Sequence, residues 1–87
     1  MSIAEIRDAF NAAAGDQFIC RQAFLDYVHE HRDGTDKDDE YQVLTFFGTG
    51  SDGNAFEVKS PHLPPQTDLS AAARATAKTL IEGAKTP

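Results

Sequence analysis

Four side chains have the chemistry of a nucleophile or a general base: Cys20, His29, His31 and His62. A thiol attacks only when a base takes its proton or its surroundings lower its pKa. No spacing sets a histidine beside Cys20, which follows the Gly15-Asp16 turn closely, so a buried and inert thiol is expected. His29-Glu30-His31 would point its two rings to different faces of a helix. The zinc-protease pattern needs them at i and i+4. "GTGSDG", residues 48–53, is rich in glycine but lacks the lysine of a phosphate-cradling loop. We therefore expect no catalytic residue, no metal, no cofactor and no enzyme.

Charge narrows the partners. The 87-residue chain has 14 acids, 8 bases and a formal net charge of −6. Binding a phosphate backbone needs Lys and Arg gathered on one face. Read as a DNA-binding turn, residues 9–28 offer Arg21 against Asp26 nearby and Glu30 just beyond. Nucleic acid is not the expected partner. The stretch "RDGTDKDDE", residues 32–40, reads first as a solvated loop entering a helix. Its sharper reading is an acidic surface of Asp33, Asp36, Asp38, Asp39 and Glu40 for a basic partner. No apolar run is long enough to span a membrane, and "MSIAEIRDAF" lacks the pattern of a signal peptide. A lone cysteine fits a reducing compartment, so a cytoplasmic location is expected.

The elements that would position these groups read as mostly helical. Ser2-x-x-Glu5 has capping-box spacing. Ile3, Ile6, Phe10, Ala13 and Ala14 follow it at helical period, and Gly15 is the stop. A second helix is expected over 21–31, with Phe24, Tyr27 and Val28 on one face and Asp33-Gly34 closing it. A third is expected over 39–47, capped by Asp36, with Tyr41, Leu44 and Phe47 at helical spacing and Gly48 as its stop. "YQVLTFF" is also rich in strand formers. The alternative is a hairpin over 41–59, with "GTGSDGN" as its loop and "AFEV" as its second strand. Pro61, Pro64 and Pro65 mark 61–67 as a linker. Asp68 then caps an amphipathic helix to Ala84, whose small-residue face carries Leu69, Ala73, Thr76 and Leu80.

The helix-turn-helix expected at 5–28, "EIRDAFNAAAGDQFICRQAFLDYV", resembles an EF-hand. A calcium loop sets oxygen donors at alternate early positions and a glutamate at its end. Ala12-Ala13-Ala14 and Ala23 stand at those places, so the turn cannot hold calcium. The pattern is closer to the calcium-insensitive EF-hand pair at the C-terminus of α-actinin. Glu40-Tyr41, Val43-Leu44 and Phe46 resemble its third helix, and "GTGSDGNAFEVKSPHL" its second loop and last helix. The resemblance implies an all-α domain over 1–63 with a minimal β-ribbon between Ile19 and Ala55 or Phe56. Residues 64–87 would be a linker and a helix. It also implies a calcium-independent adaptor or light chain that grips an apolar partner helix. The groove would be floored by Phe24, Tyr27, Val28, Tyr41, Leu44 and Phe47. The tail helix would lie in that groove or swap into the groove of a second copy, a route to self-association. The rival reading is a small acidic inhibitor, of the kind phages direct against host defences, that blocks a basic surface.

Overall fold

The computed structural model describes residues 2–31 and 38–85. Five elements follow in order: α1 (Ile3–Ala14), β1 (Phe18–His31), β2 (Asp38–Gly50), β3 (Ala55–Lys59) and α2 (Leu69–Lys85). The strands make one antiparallel sheet in the order β1-β2-β3. The fold is α+β, which overturns the all-α expectation and agrees with the hairpin alternative for 41–59.

Local signals set the two helices. Ser2 Oγ accepts from the Glu5 N–H at 3.2 Å, and Gly15 ends α1 at φ +63°, a conformation that favours glycine. Asp68 Oδ1 accepts from the N–H groups of Ser70 and Ala71 at 3.1 and 3.2 Å and so starts α2.

Residues 21–31 and 39–47, expected as helices, are strands instead. Their apolar residues fit two periods at once. Phe24, Tyr27 and Val28 satisfy helical spacing, while alternation sends Phe24 and Val28 to one face and Tyr27 to the other. Pairing decides between them: β1 and β2 match residue for residue from His31↔Asp38 back to Gln22↔Phe47, and again from Cys20↔Gly48 to Phe18↔Gly50. Gly48, expected as a helix stop, is an interior strand residue. The anticipated ribbon is also absent, because β2 lies between its halves and Thr49 pairs with both Ile19 and Ala55. The segment expected as a last helix forms β3.

One face of the sheet carries the core. Leu44 and Phe46 of β2 are fully buried there beneath Ile6 and Phe10 of α1, and Ala73 and Ala77 of α2 belong to the same cluster. Phe10 stacks on Phe46 at 4.5 Å and on Phe56 at 5.9 Å, while Phe18 meets Phe56 edge-on at 5.4 Å. Burial of each such side chain stabilises the fold by about 1.5–3 kcal/mol. On α2, Ala73 and Thr76 are buried and Leu69 and Leu80 half-buried. The tail helix therefore rests in cis against α1.

Three side chains complete the sheet where backbone partners run out. At the start of β1 the pairing steps from Cys20↔Gly48 to Gln22↔Phe47, leaving Arg21 as a bulge. Asn11 of α1 reaches this point: its Oδ1 accepts from the Cys20 N–H at 2.7 Å and its Nδ2 donates to the Cys20 carbonyl at 3.1 Å. Past β3, Ser60 Oγ accepts from the Leu44 N–H at 2.9 Å. Gln42 and Leu63 exchange backbone bonds of 2.7 and 2.9 Å, and Gln42 Nε2 donates to the Pro65 carbonyl at 2.9 Å. The proline stretch expected as a linker is thus bound to the β2 edge at its start.

Two substitutions test this wiring. A Cβ on Gly48 would overlap the Ile19 carbonyl oxygen, a backbone atom with no freedom to move aside. Gly48→Ala is expected to cost about 3 kcal/mol or more, near the upper end of single substitutions. Asn11→Ala strands the Cys20 N–H and is expected to cost about 1–3 kcal/mol. Urea midpoints read both values, and wild-type midpoints for the pair would disprove the wiring.

Candidate binding surface

The register assigns every strand residue to a face. The core face holds Cys20, Ala23, Leu25, Tyr27, Leu44, Phe46, Phe56 and Val58. The opposite face carries Ile19, Phe24, Asp26 and Val28 of β1, Tyr41, Val43, Thr45 and Phe47 of β2, and Glu57 and Lys59 of β3. Neither helix packs on this second face. A sheet with one solvated face is ordinarily polar on that side. Here it bears aromatic rings. Phe24 is 49% exposed and Ile19 53%, and Phe24 meets Phe47 edge-on at 5.6 Å. The two rings border a shallow hollow of about 300 Å³ with Asp26, Thr45, Glu57 and Lys59. Beside it, Tyr41 stacks on His62 with ring centres 3.9 Å apart, which fixes the start of the proline stretch against the same face.

The residues expected to floor a helical groove are redistributed. Phe24, Val28, Tyr41 and Phe47 do share a face, but it is the face of a sheet, and only Phe24 and Phe47 meet ring to ring. Leu44 is on the other side and fully buried in the core. Tyr27 also points to that other side, beyond the reach of the helices, and is 59% exposed. Ile19 and Val43 were missed; alternation within a strand would have found both. The helical reading puts Ile19 in a short ribbon and Val43 on a third helix, with neither in the groove.

Of the expected acidic surface, Asp33 and Asp36 lie outside the described residues. Asp38 and Asp39 open β2 with a described backbone only. The segment does not lead into a helix; it joins two paired strands. Glu40 is exposed, and its Oε2 accepts from the Tyr27 hydroxyl at 2.7 Å. Its other oxygen lies 4.0 Å from His29 Nε2. The hydrogen bond from Tyr27 to this carboxylate holds the phenol proton, raising the tyrosine above its ordinary pKa.

No chemistry gathers around the thiol. Cys20 is 3% exposed and its Sγ donates to the Gln22 carbonyl at 3.2 Å. Burial pushes its pKa up, partly offset by backbone bonds at Phe47 and Gln22 and by the charge of Arg7. A thiol held protonated is a poor nucleophile. Among the described residues no group of three or more His, Cys, Asp or Glu is placed to hold a metal, and no helix is long and apolar enough to cross a membrane. Comparison of the chain with protein-family models, with curated proteins and with solved structures gave no match.

The Tyr27–Glu40 pair has a pH signature. Because the folded pKa of Tyr27 is raised, its contribution is complete below the ordinary tyrosine value of about 10. It fades as pH climbs through the folded value. In an absorbance titration, one of the two tyrosines should ionise late, and Glu40→Gln should bring that step back to the ordinary range. A late step that persists in Glu40→Gln, or disappears only in Tyr41→Phe, assigns the shift elsewhere.

Proposed function

We propose that the protein is a non-catalytic, calcium-independent binding module. It would take an amphipathic helix of a partner protein onto its bare sheet face. The observation that carries this reading is the aromatic pair of exposed Phe24 and half-buried Phe47, set on the one sheet face that neither helix covers. The core face of the same sheet already shows what fits such a surface: α1 sits there with Phe10 against Phe46. A helix laid on the opposite face would set its apolar stripe over Phe24, Phe47 and Val28, the helix-on-surface mode of recognition.

Charge selects the flanks of that helix. Asp26 and Glu57 border the hollow with Lys59, and the whole chain carries −6. A partner helix with Lys or Arg beside its apolar stripe complements this pattern. Rim charges of this kind act mainly on the association rate and on specificity. The inhibitor reading rests on a different set of acids, and Glu40 stands on the opposite side of the hairpin beside Tyr27.

A photo-crosslinking residue at position 24 should capture a defined partner from the native cell, while the same group at the exposed helix position Lys78 should not. With that partner purified, Phe24→Ser together with Phe47→Ser should weaken binding by about 2–4 kcal/mol, the range of aromatic hot spots. Raised salt should lower the association rate and leave most of the affinity. Equal capture at both positions, or affinity indifferent to the two phenylalanines, refutes the proposed face.

A further inference from the structure

Among the described residues, the five large apolar side chains that stand exposed lie on β1 or beside it: Ile3, Ile19, Phe24, Leu25 and Tyr27, each 41–59% exposed. β1 is also an edge strand, paired with β2 on one side only. Edge strands in monomers are usually short, charged or kinked, because a long apolar edge is a template for another strand. β1 spans 14 residues, and Gln22–Val28 contains a single charge, Asp26. From these observations we infer that two copies of this chain pair antiparallel through their β1 edges, giving a two-fold dimer with one continuous six-stranded sheet.

The register follows from three constraints. Asn11 already occupies the backbone of Cys20, which confines pairing to Gln22–His31. A two-fold axis through the sheet keeps each face continuous, so opposed residues must share a face. Asp26 opposite its own copy would set like charges together, a destabilising pair. With Leu25 on the axis, Leu25 meets its own copy, Ala23 meets Tyr27, Phe24 meets Asp26 and Gln22 meets Val28. The two Phe24 rings then stand diagonal to each other, within reach for aromatic side chains. Moving the axis to Tyr27 would set Leu25 against His29 and Phe24 against Glu30, which wastes the apolar matches.

The chosen register also fills a groove. A space of about 230 Å³ opens between α1 and β1, bordered by Ile3, Arg7, Gln22 and Ala23. Tyr27 of the second copy arrives opposite Ala23, on the core face, at the mouth of that space. It brings its ring against Ile3, so the pairing covers Ile3, Leu25 and Tyr27 together. Aromatic side chains bury ~150–250 Å² each. With roughly half of that still in water here, the cluster and the strand edge supply several hundred Å² per copy, approaching the ~800 Å² of a stable interface. This pairing does not depend on the proposed partner, because it leaves Phe47 and the hollow open on the bare face.

Sedimentation of the full chain, up to hundreds of micromolar, should show a dimer. Leu25→Lys with Tyr27→Lys should weaken it at least about tenfold while circular dichroism stays that of the wild type. Leu25→Cys should form an interchain disulfide at position 25 under mild oxidant, whereas Ile19→Cys, more exposed but outside the register, should not. A monomer throughout, or a dimer unaffected by the lysines, overturns the inference. So does crosslinking at position 19 in preference to 25.

Discussion

The structure depends on a mismatch of lengths. At about 1.5 Å per residue, the 12 and 17 residues of the helices reach roughly 18 and 25 Å. At about 3.3 Å per residue, the 14 residues of β1 reach roughly 46 Å. A helix layer this short covers only the root of the hairpin, where Phe10 meets Phe46. Beyond Leu44 the helices no longer cover the strands, and only the proline segment reaches β2, at Tyr41 and Gln42. The longest dimension of the molecule is 48 Å, and its radius of gyration is 14.5 Å, against about 12 Å for a compact chain of this length. The apolar surface that remains on β1 is a direct result of that shortfall.

At the root, polar side chains stand in for missing strands. Asn11 does for Cys20 what a neighbouring strand would do, presenting one acceptor and one donor at the right separation. Ser60 gives its hydroxyl to Leu44 where the chain bends around Pro61, and Gln42 fastens the next two prolines. No buried side-chain polar atom lacks a partner among the described residues, as a small core requires, since a stranded donor costs about 1–3 kcal/mol. The two edges are therefore treated differently. Beyond Lys59 the open side of β2 is covered by the Ser60–Leu63 segment, whereas β1 is covered only at Cys20.

What could be read from the sequence was what is encoded locally. Ser2, Glu5 and Gly15 bound α1, and Asp68 with its small-residue face marks α2, because caps and a 3.6 period lie within one segment. The hairpin of β2 and β3 was visible as an alternative in "YQVLTFFGTGSDGNAFEV". β1 was hidden, because Phe24-Leu25 and Tyr27-Val28 put apolar residues on both faces and so imitate a helix. Asp33-Gly34 suits a helix end, yet the same dipeptide is a strong hairpin signal. The EF-hand likeness rested on reading 21–31 as an exit helix, and β1 runs there. Phe24, Val28, Tyr41 and Phe47 of the expected groove nonetheless share one sheet face. Phe24 and Val28, four apart, share a strand face as readily as a helix face.

The packing of the first helix against the last has a consequence for synthesis. Ile6 and Phe10 leave the ribosome early, yet the small residues that seal them, Ala73 and Ala77, emerge only near the end of α2. Until then the nascent chain can form its hairpin but holds its aromatic residues unsheltered. Contacts between distant parts of a chain form slowly, and their absence invites aggregation. A stalled or shortened product would be a target for chaperones rather than a partly working domain.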